Sequence, residues 1–500
     1  MEIELKLLVP PAALAALGAD PLLKGVKAKR KAPKQLDNIY FDTPERALAQ
    51  ARVALRLRKD GSRWLQTVKR GGTAQAGLHS REEVEFAVAG KALEWEALSS
   101  TPLGKIIDPY RAQLQPQFRT RFSREVRLLK GQTGAEIELA IDQGEILAGK
   151  RREALCELEL ELKSGPVDDL FSLALELVAR HPLVLDNRSK AERGAALLRD
   201  LPPSPPVKAA AMVLSADADA PTVARLAIEN CLAQWQANEA GFMAQSLSAP
   251  YDIEYLHQLR VAVRRLRVAC DPLARLAGWH PDMLATIKTP LRQLGQHLGA
   301  ARDWDVFMGE TWPLLRAGLN DAALRLALQE EIEIRRALAQ QRAQAALQGR
   351  EAQRVLVQLG RCLAQSANEM APASAADSAF REQLDALEHK LKQALPELEK
   401  LKPEALHALR IVAKKLRYLT EFSAGLYDAS ATEHWLKWLK KAQDVLGTRN
   451  DRAVAEARIA SLCKTLDARH GKVRRSLLES LRQRELPELH LPALPDPYWR

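Results

Sequence analysis

The feature that most constrains this chain is a single change of hydrophobic period. Leu201-Pro202-Pro203-Ser204-Pro205-Pro206 opens a stretch that runs through alanines to Asp219-Ala220-Pro221. Proline at that density forbids regular structure and suits a semi-extended linker. Before it, apolar and polar residues alternate in Glu2–Leu8, Val53–Lys59, Trp64–Arg70, Arg81–Val88, Phe118–Leu128, Ala135–Ile141 and Leu155–Lys163, the period of half-buried strands. Pro11–Leu17 and Val167–Ala179 carry helical patterns. After the prolines alternation ends, and Ala/Leu/Arg/Gln/Glu stretches such as Leu324–Gln348 take over with helical periodicity. At 500 residues there is room for two or three cores. The expected organisation is an α+β or all-β domain over 1–200, a linker over 201–221, an all-α domain over 222–485, and a proline-rich tail over 486–500.

Composition excludes several classes. No run of 18 or more apolar residues occurs, which argues against a membrane span. MEIELKLLVP carries acids where a secretory signal carries basic residues. Cys156, Cys231, Cys270, Cys362 and Cys463 lie far apart without a CxxC pair, as for reduced thiols in a cytoplasm rather than a disulfide framework or zinc site. The net charge of +11 permits nucleic acid, polyphosphate or acidic membrane as partners and selects none.

The arrangement of charge is more informative. Residues two apart on a strand share a face, so Glu2, Glu4 and Lys6 sit together, as do Arg56 with Arg58, Arg81 with Glu83 and Glu85, Arg119 with Arg121, and Glu157 with Glu159 and Glu161. Each strand alone reads as an amphipathic strand with a solvated face. Taken together, sign segregates by strand, and a closed sheet would turn that into a charged lumen. Arginines and lysines there would grip phosphate oxygens, and clustered carboxylates would hold hard divalent cations.

Glu2-x-Glu4-x-Lys6 resembles the ExExK signature of the CYTH, or triphosphate tunnel metalloenzyme, family. Further elements recur in the family's order: Tyr40-Phe41-Asp42-Thr43-Pro44, Ala54-Leu55-Arg56-Leu57-Arg58, Thr67-x-Lys69, Arg81-x-Glu83-x-Glu85, Arg119-x-Arg121, the Glu157–Glu161 strand, and Ser189-Lys190-x-x-Arg193-Gly194. The resemblance implies an eight-stranded antiparallel β tunnel with outer helices. It matches Glu2, Glu4, Glu157 and Glu159 to metal-binding carboxylates, with Asp142 as a fifth, for Mg²⁺ or Mn²⁺. Lys6, Arg56, Arg58, Lys69, Arg119, Arg121 and Lys190 match the phosphate-gripping set. Glu2, Glu4, Lys6, Glu157 and Glu159 form the implied catalytic group. Glu83 and Glu85 either lie near a metal or balance Arg81, and Glu161 shares the parity of Glu159, either with it in the site or out at the tunnel mouth. Neither His79 nor Cys156 belongs to a nucleophile constellation.

The helical half contains an internal repeat. His257-Gln-Leu-Arg260-Val-Ala-Val-Arg264-Arg265-Leu-Arg267 matches His407-Ala-Leu-Arg410-Ile-Val-Ala-Lys414-Lys415-Leu-Arg417, and downstream Leu298-Gly299-Ala-Ala-Arg302-Asp303 matches Leu446-Gly447-Thr-Arg-Asn450-Asp451. A duplicated unit, about 222–365 and 375–485, is the economical reading. His257, Arg260, Arg264 and Arg267 form one helical stripe, which His407, Arg410, Lys414 and Arg417 reproduce. A solvated charged face is the alternative. The stripes read as lacking acids at i±4, and bare like charge suggests an anionic partner. These residues resemble the CHAD domain, which implies two helical bundles with a basic surface that binds inorganic polyphosphate. His257 and His407 are phosphate ligands or packing caps. Asp303, Asp305 and Asp451 are expected to orient the arginines by salt bridges.

The combined expectation is a cytoplasmic inorganic triphosphatase, associated with polyphosphate granules, that splits tripolyphosphate into pyrophosphate and phosphate and binds long-chain polyphosphate on its helical domain. Rivals are a thiamine or nucleoside triphosphatase, a class IV adenylyl cyclase, for which no aromatic-rich segment supplies a base pocket, and a non-enzymatic polyphosphate or nucleic-acid binder. Nucleic acid is disfavoured because the stripes lack interleaved aromatics, and a membrane partner is not expected.

Overall fold

The structure is a computed structural model that describes the chain except residues 1, 24–32, 76, 200–203, 216, 246–250, 274–278, 280, 365–375, 466–470 and 484–487. It divides into two compact units, Met1–Pro203 with Gln348–Gln365, and Ser204–Leu347 with Ser366–Arg500.

The first unit is built on strands β1 (Glu2–Leu8), β2 (Lys34–Asp42), β3 (Val53–Asp60), β4 (Arg63–Gln75), β5 (Leu78–Val88), β6 (Gln115–Lys130), β7 (Glu136–Ala148), β8 (Arg151–Ser164) and β9 (Val184–Leu185). Eight of them run antiparallel in the order β5-β4-β3-β2-β6-β7-β8-β1, and β1 pairs back with β5, so the ring closes; β9 is a short addition on β1. Strand β2 carries little alternation in its sequence, because buried Asn38 faces inward while Ile39 is on the outer face.

The longer helices are α1 (Val167–Arg180), α2 (Lys190–Arg199), α3 (Ala220–Ala244), α4 (Ile253–Val268), α5 (Pro281–Val306) and α6 (Ala322–Gln348). They continue as α7 (Arg350–Ala364), α8 (Ala376–Ala394), α9 (Pro403–Ser423), α10 (Ala429–Thr465) and α11 (Gly471–Arg482).

The main core of the first unit lies outside the barrel. Leu5, Leu7, Leu158 and Leu160 project from the wall onto Leu170, Phe171, Ala174, Leu177 and Val178 of α1, a helical stripe. The Asp169 carboxylate in the first turn of α1 accepts from the Thr133 and Ala135 amides and ties down the β6–β7 hairpin. A second cluster fills one end of the barrel. Leu36, Tyr40, Phe118, Phe122, Ile146 and Leu155 point inward and meet Ala191, Ala195 and Leu198 of α2. Ser189 and Glu192 form a reciprocal capping box at the start of α2. Gly194 lets the helix sit directly on Phe118, since a Cβ there would overlap the ring.

Helix α7 falls in the first helical repeat of the sequence, yet it belongs to the first unit. Val357 joins the core beside α1, and Arg361 binds Asp168 through two bonds of 2.6 and 2.5 Å.

The second unit is helical, as expected. Helix α4 packs on α3 and α5, and α9 on α8 and α10, so in each repeat the helix that carries the stripe lies against two others. Two expected loose segments are docked. Residues 204–215 have no regular structure but lie along α3: Val207 exchanges backbone bonds with the Asn238 side chain, and Tyr255 donates to Ser204 O. Leu201–Pro203 lie outside the described residues. The proline-rich end is no free tail. Trp499 is fully buried and donates to Asp385 at 2.9 Å, while Trp435 and Trp438 donate to the Asp496 and Pro492 carbonyls. Among the described residues no helix is long and apolar enough to cross a membrane.

Trp499→Ala should therefore lower the stability of the second unit by about 3–5 kcal/mol in equilibrium denaturation. A change below about 1 kcal/mol would show that the end segment contributes nothing to the core.

Candidate functional site

The barrel lumen holds a cavity of about 680 Å³ lined by Glu2, Glu4, Lys6, Arg56, Arg58, Lys69, Arg124, Glu159 and Lys190, among others. Cross-strand register places these groups in rows. Asp142 stands opposite Glu157, the next row holds Glu159 opposite Lys6, and the row after it holds Glu138, Glu161 and Glu4 on β7, β8 and β1. On the facing wall, β2 and β3 bring Tyr40 opposite Arg56 and Asn38 opposite Arg58, and β4 sets Lys69 opposite Glu83 of β5.

The first two rows form a closed ion network. Asp142, Glu157 and Glu159 offer oxygens within 4.8 Å of one another, a spacing that suits a metal ion. The Lys190 ammonium stands among them, 2.9 Å from Asp142, 2.6 Å from Glu157 and 2.7 Å from Glu159. Arg124 forks onto Asp142 and reaches Glu159, and Arg193 binds Glu157 and Glu153. Three carboxylates thus meet three cations. Burial raises the Glu159 carboxyl, but Lys190, Arg124 and Lys6 outweigh it and hold the group well below the usual carboxylate range. Burial likewise disfavours the Lys190 ammonium, and Asp142, Glu157 and Glu159 more than reverse that.

The third row is different. Carboxylates directly opposite one another destabilise a sheet, and Glu161 is flanked on both sides. Burial, with repulsion from Glu2 and Glu138, raises its pKa despite the Lys163 partner 2.7 Å away. Glu4 has Lys6 at 4.0 Å, and Glu2 is held by Lys69 at 2.7 Å. Oxygen donors gathered this way suit Mg²⁺ or Mn²⁺, so the residues fit such an ion here better than in the lysine-filled row. Asp142 and Glu157 belong to the ion network, Glu159 belongs to it and also borders the acidic row, and Glu161 stands in that row with Glu4.

The phosphate-gripping set also divides. Lys6, Arg56, Arg58, Lys69 and Lys190 line the cavity. Arg119 and Arg121 do not. They stand opposite Ile39 and Asp37 on the outer face, and both approach the Asp37 carboxylate, at 2.8 and 3.6 Å. The lumen parity of β6 is Phe118, Thr120, Phe122 and Arg124, so Arg124 supplies the tunnel cation of this strand. Arg58 is pulled down to about 10 by burial, Arg56 and Arg124, and the buried Nε of Arg56 has no hydrogen-bond partner. Carboxylates approach both groups only at 3.9 Å, Glu83 and Glu85 beside Arg56 and Glu85 beside Arg58. The structure also gathers aromatics that no single segment announces: Tyr40 stacks on Phe118 at 4.6 Å, and both rings line the cavity where α2 packs.

In the second unit the two stripes converge. Lys414 lies among Arg264, Arg410 and Arg260, and burial together with those three cations pulls it down to about 6. Arg260 is lowered to about 10 by burial and Arg264. Gly299 and Gly447, equivalent in the repeat, each lie beneath an arginine: a Cβ would be 3.5 Å from Arg260 Nε and 3.6 Å from Arg410 Nη2. Burial and Arg302 lower the half-buried His257, while His407 is exposed. The stripe ends are compensated after all. Arg417 binds Glu421 at i+4 at 2.8 Å, and Asp271 at i+4 supports Arg267. Asp451 lies 3.7 Å from Arg410 and Asp303 3.5 Å from Arg458, while buried Asp305 binds Arg336 and Gln340. Arg265 is a core residue held by Asn230, Gln234 and Glu421.

The family description of the CYTH domain matches residues 1–195 and that of the CHAD domain matches 226–460. An inorganic triphosphatase of Haemophilus influenzae is 36% identical over 163 residues, 32% of this chain and 45% of that protein; the match thus spans less than half the length of that relative. An uncharacterised protein of Mycobacterium tuberculosis is 26% identical over 462 residues, 86% of this chain and 82% of that one. Among solved structures, the CHAD domain from the plant Ricinus communis is similar with a TM-score of 0.50 and 27% identity, covering 58% of this chain and 98% of that one.

The ion network makes a stability prediction. Lys190→Met takes the shared partner from Asp142, Glu157 and Glu159 and should cost about 3–5 kcal/mol at pH 7 in denaturation experiments with EDTA. The Glu157 and Glu159 carboxyls are depressed in the folded state, so their contribution is complete above the unfolded value near 4.5 and is lost as pH falls through their folded values. The penalty in the variant should accordingly shrink as pH approaches 4. A penalty that is constant from pH 7 to 4 would contradict the network.

Proposed function

From a chain whose residues 1–195 form a CYTH domain and whose residues 226–460 form a CHAD domain, we propose that the protein hydrolyses inorganic tripolyphosphate to pyrophosphate and phosphate in the barrel lumen and binds long-chain polyphosphate on its helical unit. The observation that carries the reading is the division of one lumen into two walls, with Arg56, Arg58 and Lys69 on β3 and β4 and Glu4, Glu138, Glu159 and Glu161 on β1, β7 and β8.

Arg56 and Arg58 fork onto phosphate oxygens, and Lys6 and Lys69 supply point charges. Lys6 reaches the substrate from between Glu4 and Glu159, which hold its ammonium in the lumen. Lys190 and Arg124 fix the acidic floor so that it does not repel the polyanion. Glu2, Glu4, Glu159 and Glu161 would hold Mg²⁺ or Mn²⁺, which when bound neutralises phosphate charge and lowers the pKa of a coordinated water. These carboxylates would hold the ion on the acidic side of the lumen, while Arg56 and Arg58 would grip the pyrophosphate end of the substrate. Thiamine or nucleoside triphosphate would need a base pocket; Tyr40, Phe118 and Phe122 line the cavity at the end that α2 packs against. A cytoplasmic location with polyphosphate granules belongs to the same proposal.

Phosphate release from tripolyphosphate should require a divalent ion and stop in EDTA, and should exceed release from ATP or thiamine triphosphate. Arg58→Met should lower kcat/KM by roughly 10- to 100-fold, the worth of a charge-assisted bond, whereas Arg121→Met on the outer face should stay within about threefold. Equal losses for both would overturn the lumen assignment, and full activity in EDTA would overturn the reaction.

Polyphosphate on the helical unit would restore the Lys414 proton. Its neighbours are Arg260 and Arg264 from α4, Arg410 on its own helix and Asp451 from α10, and a polyanion over them favours the charged amine. Binding should take up a proton between pH 6 and 10, so affinity should rise as pH falls through that window, and Lys414→Met should flatten the profile. Affinity should also fall steeply with salt and be indifferent to base sequence when nucleic acid competes. A pH-independent wild-type affinity would exclude Lys414 from the site.

A further inference from the structure

The barrel closes along one edge of β1, and that edge is shared. β5 pairs with Glu2–Leu5, and β9 takes over at Leu7 and Leu8. The two partners meet at Lys6, whose N–H donates to Gly77 O at 3.0 Å and whose C=O accepts from Asp186 N at 3.1 Å. Gly77 adopts φ +76°, and a Cβ there would overlap Leu185; its own N–H donates to Asn187 Oδ1 at 2.7 Å. Buried His79 touches Asp186 O at 3.1 Å. Four residues beyond Asp186 the chain enters α2 at Lys190. The backbone of this seam therefore sets two lumen cations, Lys6 within it and Lys190 just past it.

A two-residue strand is a weak partner for so exposed a task. What holds it comes from far along the sequence. The side-chain carbonyl of Gln353, fully buried on α7, accepts from the Leu185 amide at 2.9 Å. Val357, one turn on, packs into the core beside α1, and Arg361 clamps Asp168. An amphipathic helix that only covered an apolar strip would need Val357 and its neighbours. It would not need a buried amide aimed at a strand end.

We propose that Gln353 is a positioning residue for the tunnel: by holding Leu185 it fixes the seam of β1, β5 and β9 from which Lys6 and Lys190 enter the lumen. The proposal rests on the reading of the lumen as a triphosphate site. It makes the barrel's binding competence depend on a helix encoded within the helical half of the chain.

The test uses the full-length protein and three variants. Gln353→Met keeps length but removes the acceptor, Gln353→Glu keeps an acceptor, and Val357→Ala loosens the packing of α7 without touching the bond. Two readouts are independent of turnover: hydrogen exchange of the peptide containing Leu185, and calorimetric binding of tripolyphosphate in EDTA. Gln353→Met should speed exchange at Leu185 and weaken tripolyphosphate binding about tenfold, Gln353→Glu should stay within about threefold of wild type, and Val357→Ala should lower thermal stability with binding within about twofold. Unchanged exchange and binding in Gln353→Met would overturn the proposal, and so would equal losses in Gln353→Met and Val357→Ala, which would make α7 a structural cover only. Wild-type protein that neither binds nor splits tripolyphosphate would instead sink the functional reading, while Leu185 exchange would still report on the seam.

Discussion

The lumen depends on a buried ammonium. Lys190 enters from the first position of α2 and stands within 2.9 Å of three carboxylates that β7 and β8 force together. Two strands whose registers bring Asp142 and Glu157 face to face would repel without it. The cost of burying these charges is met because nearly every one has an opposite partner at hydrogen-bond distance. The same ion set anchors the N-terminus of α2, and the helix behind it stoppers one end of the barrel with alanine and leucine against Phe118 and Phe122. A hydrophobic plug and a polar floor are thus two consequences of one helix start.

Much of this was legible from residue order. Seven strands announce themselves by alternation, and the closed ring follows the implied family fold. The limits have physical causes. In a barrel with a charged interior, both faces of a strand carry polar residues, so parity alone does not say which face is in. Arg119-x-Arg121 looked like a tunnel pair and is the outer pair; Arg124, separated from it by Phe122, is the inner cation, and the inward aromatics Phe118 and Phe122 were the available signal. Glu161 had the right parity, but only the register against Glu4 shows its place in the row. The reading of uncompensated helical stripes overlooked Glu421 and Asp271, which lie at i+4 from Arg417 and Arg267. The amphipathic stripe of α7 is plain in sequence, but a stripe does not name the surface it meets.

The helical unit solves a related problem by symmetry. Duplicated helices present Arg260 with Arg264 and Arg410 with Lys414 to one another, and each half keeps a glycine, Gly299 or Gly447, where a guanidinium lies against the next helix. Concentrating four cations is unfavourable, and burial with like charge lowers Lys414 accordingly, while Asp303 and Asp451 soften the cluster. The buried Arg264 and Arg410 Nε atoms without partners are of the same kind as that of Arg56 in the lumen.

The membership of α7 in the first unit bears on how the chain is made. A barrel whose strands end before Pro203 would ordinarily be finished as soon as it left the ribosome, but this one waits for residues up to Gln365. At ordinary elongation rates that is a delay of roughly ten to thirty seconds, during which the apolar strip later covered by Val357 faces solvent. The nascent wall must pass this interval uncovered beside emerging helices. Synonymous changes that slow translation between the two segments would lengthen the exposure without altering a single residue of the product.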